Sequence, residues 1–130
     1  MSVVRVTIGI PFYNNEKTLG LAIKSVIAQT FKDWELFLID DGSKDKSLEI
    51  ANNFVNVDSR ISLICDGSNK GLVYRLNQVI YLADGDYIAR MDADDIMLPE
   101  RLEKQLSIFN INSQIDVVAT AAYTIDQNDN

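Results

Sequence analysis

Residues 87–102 read YIARMDADDIMLPERL. The opening alternation resembles the end of a half-buried strand, and the closing PERL has the proline and leucines of a helix start. Between them stand Asp92, Asp94 and Asp95, where an apolar run has just finished. A strand that exits into a polar cluster and returns as a helix is one βα unit, and working outward finds the same unit repeated.

Strand-like apolar runs occur in VVRVTIGI (3–10), WELFLID (34–40), ISLIC (61–65) and DYIARM (86–91), with a later one in DVVATAAY (116–123). These predict five strands. Helical periodicity fills the gaps. Over 17–29 it places Leu19, Ala22, Ile23, Val26 and Ile27 on one face, and over 72–82 it groups Leu72, Leu76, Val79 and Ile80 with Ala83. KSLEIANNF and PERLEKQLSIF complete the alternation. Strand and helix in strict turn predict an α/β domain, because parallel neighbours require a crossover. The sheet is therefore expected to be mostly parallel, with helices on both faces in an α/β/α sandwich.

In such sheets ligands bind outside the carboxyl ends of the strands, where the winding reverses. The polar clusters obey that rule. IPFYNNE (10–16) follows the first strand, DDGSKD (40–45) the second, DGSNKG (66–71) the third and DADD (92–95) the fourth.

Composition narrows the chemistry. The 130 residues carry a formal charge of −7 and no histidine, so a nucleic-acid backbone or an anionic membrane would be repelled. With 47% hydrophobic and 24% charged residues the chain belongs among folded globular domains, and the length predicts one domain. The single cysteine, Cys65, lies in an apolar run and is expected to be buried and reduced. No signal-peptide pattern or membrane-length apolar run is present, which gives a cytosolic expectation. The polar IDQNDN end reads as a frayed tail or a cut junction. Without histidine no Ser/His or Cys/His constellation can be assembled, and GxxxxGK[ST] and GxGxxG are absent.

The clusters suggest roles of their own. In DAD, alternation past a strand can turn Asp92 and Asp94 to one side with the small Ala93 between them. Facing carboxylates repel unless a proton or metal lies between them, and a hard cation such as Mg²⁺ or Mn²⁺ suits their oxygens and can bridge to phosphate. Asp94 or Asp95 as a helix cap is the plainer reading, which accounts for one aspartate of three. In DDGSKD, Gly42 serves the turn and Ser43 or Asp45 a cap, while a carboxylate at the strand exit is also able to accept N–H or hydroxyl groups of a ligand. Tyr13 suits stacking on an aromatic ring or packing beneath its loop, with Asn14 or Asn15 as a cap, and Lys70 is a cation for phosphate or base, or a solvated surface lysine.

The residues IPFYNNE, LIDDGSKD, NKGL with LNQ, and ARMDADDIMLPERLEKQ, in that order, resemble the family 2 glycosyltransferases of GT-A fold across nearly the whole chain. The resemblance implies a nucleotide-diphosphate sugar donor, usually a UDP sugar, a divalent metal (Mn²⁺ or Mg²⁺), and a saccharide or glycoconjugate acceptor. It places Asp94 at the metal, Asp92 near ribose and diphosphate, Asp41 at the nucleobase edge, Pro11 and Tyr13 against the base, and Lys70 beside it. Many members have Arg immediately before the Asn matching Asn77. Here Leu76 holds that position, so Arg75 receives no role. The acid that deprotonates the acceptor in inverting members lies in a later, acceptor-binding half. The expectation is thus a single donor domain, 1–130, cut before that half and inactive alone. Two other readings are a non-catalytic nucleotide-sugar-binding module of the same fold and a receiver-like phosphoacceptor domain. The receiver calls for an acid pair after the first strand, where PFYNNE stands instead.

Overall fold

A computed structural model describes residues 5–128 and 130. The element order is β1 (Val6–Phe12), α1 (Leu19–Ile27), β2 (Trp34–Asp40), α2 (Ser47–Val57), β3 (Ile61–Cys65), α3 (Leu72–Leu82), β4 (Tyr87–Arg90) and α4 (Arg101–Ile111). The strands form one sheet in the order β3-β2-β1-β4. Every pairing is parallel, with Val6 opposite Trp34 on one side and opposite Tyr87 on the other, and Leu36 opposite Ile61.

This order dictates where the helices go. The chain steps from β1 to β2 to β3 in one direction, so right-handed crossovers put α1 and α2 on the same face. It then returns past β1 to β4, which sends α3 to the opposite face. Strand alternation agrees: Val6, Ile8, Ile10 and Phe12 join a buried core with Leu19, Ile23 and Val26 of α1, Ala51 of α2 and Leu102 of α4. Gly9 faces the other way. A Cβ built on it would lie 2.5 and 2.7 Å from the two Val79 methyls, so α3 rests directly on the β1 backbone.

Four sequence expectations are corrected. Residues 116–123 form no strand, and Val117 and Tyr123 are largely exposed. Apolar alternation makes a strand only where a neighbouring edge takes up its N–H and C=O groups. Here the segment instead runs near α4, where Gln105 Nε2 donates to Val118 O at 3.1 Å. Cys65 is exposed rather than buried, because it ends β3, an outer strand of the sheet. The periodicity of 72–82 buries Arg75 and Val79, while Leu72 and Ile80 remain exposed. Finally, α4 begins at Arg101 after a turn at Pro99, so neither Asp94 nor Asp95 caps it. The first residues expected in β1 lie outside those described. Among the described residues no helix is long and apolar enough to cross a membrane.

Gly9→Ala is expected to destabilise the domain by about 1–3 kcal/mol through overpacking against Val79. Urea denaturation measures this, and an unchanged midpoint would mean that α3 shifts freely on the sheet.

Candidate functional site

The winding reverses between β1 and β4, and the loops leaving these neighbours carry IPFYNNE and DADD. The DADD stretch is held from beneath. Met91 N–H donates to Gly9 O at 3.1 Å, extending the ladder one step past β4. Met91, Ala93 and Met97 are buried, whereas Asp92, Asp94 and Asp95 are exposed.

The end of α1 and the residues just beyond it pin the segment between DADD and α4. Ser25 Oγ accepts Met97 N–H at 3.0 Å, and the buried Gln29 donates to Leu98 O at 2.7 Å while accepting Leu102 N–H at 3.1 Å. Thr30 N–H donates to Pro99 O at 2.9 Å. A polar pair, Ser25 in the last turns of α1 and Gln29 just past its end, thus serves to place the acidic loop.

Asp92, Asp94 and Asp95 each present a carboxylate oxygen within 4.8 Å of the others. Arg90 approaches Asp92 only at 3.5 Å, and among the described residues no ion pair reaches Asp94 or Asp95. Although Asp95 is an exposed residue, partial desolvation of its carboxyl, and then the charges of Asp92 and Asp94, push that group above its ordinary range, with Arg101 opposing. Three hard oxygen donors in so small a space suit a divalent cation of the Mg²⁺ or Mn²⁺ type.

The IPFYNNE and DDGSKD loops are interlocked. Asn14 N–H donates to Ser43 Oγ (3.0 Å), Lys44 N–H to Asn14 Oδ1 (2.8 Å), Asn15 N–H to Ser47 Oγ (2.8 Å), Glu16 N–H to Asp45 Oδ2 (3.0 Å), and Lys46 N–H to Glu16 Oε2 (3.0 Å). Asn14 adopts φ 51°, a left-handed conformation that asparagine tolerates. These side chains therefore satisfy the neighbouring loop rather than cap their own helix. Asp45 alone also caps locally, accepting Ser47 N–H at 2.9 Å. Asn14, Asn15, Glu16, Lys17, Thr18 and Asp45 line an open depression of about 430 Å³, with Asp94 on its rim.

Pro11 sits inside β1, paired with Ile39. Its missing N–H costs no ladder bond, because residues 9 and 11 face β4, whose pairing with β1 ends at Gly9. Tyr13, one residue beyond β1, is half exposed.

Asp41 ends up far more engaged than its sequence context suggests. It accepts Lys70 N–H at 2.8 Å, Gly71 N–H at 3.1 Å and Arg75 Nε–H at 2.8 Å. Burial raises its carboxyl, but the hydrogen bonds from Lys70, Arg75 and Gly71 outweigh it and hold the group below its usual range. Gly42, at φ 85°, brings this exit against the backbone of Ser68 and Asn69. Lys70 Nζ pairs with Asp66 at 2.8 Å and lies 4.8 Å from the Tyr74 ring centre. Hydrogen bonds from Arg75 first, then Lys70, hold Asp66 well below the ordinary carboxylate range.

The predicted residues thus fall into two groups flanking Pro11 of β1 and Tyr13 just beyond it: Asp41 with Lys70 on the β2–β3 side, and Asp92 with Asp94 on the β4 side. Arg75 and Asp66 were missed. The available signal was a charge four residues before Val79, on the buried face of α3, with acids leaving two neighbouring strands.

Residues 7–130 match the profile described as glycosyl transferase family 2. EpsE of Bacillus subtilis (strain 168) is 40% identical over 124 residues, which is 95% of this chain and 45% of EpsE. The UDP-Glc:alpha-D-GlcNAc-diphosphoundecaprenol beta-1,3-glucosyltransferase WfgD of Escherichia coli is 38% identical over 108 residues, 83% of this chain and 42% of WfgD. This chain spans less than half the length of either relative. Among solved structures, S. aureus TarS 1–349 in complex with UDP superimposes with a TM-score of 0.77 at 23% identity, over 85% of this chain and 33% of that one. The mannosyltransferase PcManGT of Pyrobaculum calidifontis, in complex with GDP-Man and Mn²⁺, gives 0.73 at 20% identity, over 80% and 32%. The shared fold is GT-A.

Asp95→Asn is expected to raise the melting temperature of the metal-free protein at neutral pH by removing a partly desolvated charge and its repulsion from Asp92 and Asp94. Because the folded protein holds this carboxyl above its unfolded value, the ionised form opposes folding, and the gain should vanish once pH falls below about 4 and the acid is protonated. A lower melting temperature at neutral pH would contradict the repulsion.

Proposed function

Because the chain belongs to glycosyl transferase family 2, we propose that it is the donor-binding part of a metal-dependent, inverting glycosyltransferase that uses a nucleotide-diphosphate sugar, most simply a UDP sugar. The observation that carries this reading is the convergence of Asp92, Asp94 and Asp95 within 4.8 Å at the reversal of the sheet. The names of similar proteins support it, since TarS has been solved with UDP, PcManGT with GDP-Man and Mn²⁺, and WfgD is named for UDP-Glc.

Each residue acquires a role with a physical reason. Asp94, free of any ion pair among the described residues, would hold the cation, and Asp92 would stand by the ribose and diphosphate. The metal, when bound, neutralises the diphosphate and stabilises it as the leaving group. Asp41, kept ionised, is an acceptor without a donor, which suits a base offering an N–H at its edge, such as the imino N–H of uracil. Tyr13 supplies an exposed ring against which the base packs, and Pro11 stiffens the strand beneath it. Lys70, already paired with Asp66, contributes a fixed positive charge near the base.

The acceptor is a saccharide or glycoconjugate. The general base that deprotonates its hydroxyl is assigned to the acceptor-binding half, beyond residue 130, as is the choice of sugar. A base must reach the proton it takes, and no acid of this edge is proposed for that task. The cytosol, where nucleotide sugars are the activated form, is the proposed location.

The test is a thermal-shift panel of UDP, GDP, dTDP and CDP with and without Mn²⁺, on the wild type and on Asp94→Ala. A nucleotide at about 100 times its dissociation constant should stabilise the wild type by roughly 2.7 kcal/mol. That shift should require Mn²⁺ and disappear in Asp94→Ala. A shift of equal size without metal would remove Asp94 from the account.

A further inference from the structure

Arg75 has the environment of a clamp, although neither its position in the chain nor the family resemblance gave it a role. It is fully buried on α3, and a guanidinium has five N–H donors. All are used: Nε to Asp41 Oδ1 (2.8 Å), one terminal nitrogen to Asp66 Oδ2 (3.1 Å) and Gln78 Oε1 (2.9 Å), the other to Asp66 Oδ1 (2.8 Å) and Ser68 O. The residue joins the exit of β2, the β3–α3 loop at Asp66 and Ser68, and the first turns of α3.

The clamp does not exhaust Asp41. Of its oxygens, Oδ1 accepts Lys70 N–H, Gly71 N–H and Arg75, while Oδ2 accepts only Gly71 N–H, at 3.1 Å. The side chain retains 11% of its exposure. Oδ1 thus carries three donors and Oδ2 one, so Oδ2 keeps the greater accepting capacity. A carboxylate gripped mainly through one oxygen, by backbone N–H groups and by the one buried, always-charged group among its donors, is fixed in orientation.

We propose that Arg75 is the positioning residue of the nucleotide site, acting through Asp41 by fastening one carboxylate oxygen so that the other meets the base. This rests on the reading of Asp41 as the residue at the nucleobase edge. It predicts a loss confined to the nucleotide half of the site, because the acids at 92–95 hang from α1 and β1 and share no hydrogen bond with Arg75 among the described residues.

The experiment compares wild type and Arg75→Met in the full chain by calorimetric titration, with Mn²⁺ alone and then with UDP in saturating Mn²⁺. UDP affinity should fall by about tenfold or more, while the affinity for Mn²⁺ alone stays within about twofold. General loosening of the fold would weaken both together, and that outcome overturns the proposal, as does unchanged UDP affinity. Should Arg75→Met not fold, Arg75→Lys keeps the charge but carries its donors on one atom, and it is read by the same two affinities. Wild type that binds no UDP in Mn²⁺ would refute the nucleotide-site reading itself, whereas wild-type binding with an insensitive Arg75 variant refutes only the clamp.

Discussion

Three carboxylates with oxygens within 4.8 Å of one another repel, and a chain holds them there only if the backbone between them is fixed by other means. Here the means are apolar. Met91, Ala93 and Met97 are sunk in the core, and Ser25 and Gln29 grip the main chain from Met97 to Leu102. The acids are consequently presented on a rigid support rather than on a free loop. A flexible loop would splay its charges apart, and a site for a small cation needs them close.

The same edge carries a second acidic group with the opposite solution. Asp41 and Asp66 are neutralised internally, by Arg75 between them and by Lys70 outside. Their charges are spent on structure, with one oxygen of Asp41 left able to accept more. The acids beside β4 are paired only loosely, by Arg90 on Asp92, and those beside β2 and β3 closely, with β1 between. A nucleotide diphosphate has the matching polarity along its length: an anionic end that needs a cation and a neutral base that needs a fixed acceptor. Family 2 membership and the GT-A fold agree with that polarity without specifying the sugar.

Much of this was legible in the sequence because it depends on local pattern. The strands at 34–40 and 61–65 and the apolar face of α1 follow from periodicity alone, and the four polar clusters fall on one edge because each follows a strand. What the pattern could not show was pairing. DVVATAAY reads as a strand but pairs with no strand of the described sheet, and ISLIC gave no sign that its strand would lie at an edge and expose Cys65. Arg75 was hidden for a related reason. Four of its five acceptor atoms lie 3 to 9 residues away, on Asp66, Ser68 and Gln78, but the bond to Asp41 spans 34 and no local window shows it. Asn14 and Ser43 were likewise read as caps for their own helices, because each residue type suits a cap and only the parallel pairing of β1 with β2 brings the two loops together.

The central claim is that a cation and a nucleotide meet at the reversal of the sheet. Paramagnetic broadening tests it most directly: Mn²⁺ is titrated in substoichiometric amounts into isotope-labelled protein with UDP present, and backbone amide signals are followed. The account predicts that the signals of residues 91–96 and 14–18 disappear first, while those of Asn69, Lys70 and Gly71 shift with UDP and those of Asp58, Ser59 and Arg60 stay unchanged. Broadening centred on another acidic group, such as Asp84 and Asp86, would contradict it.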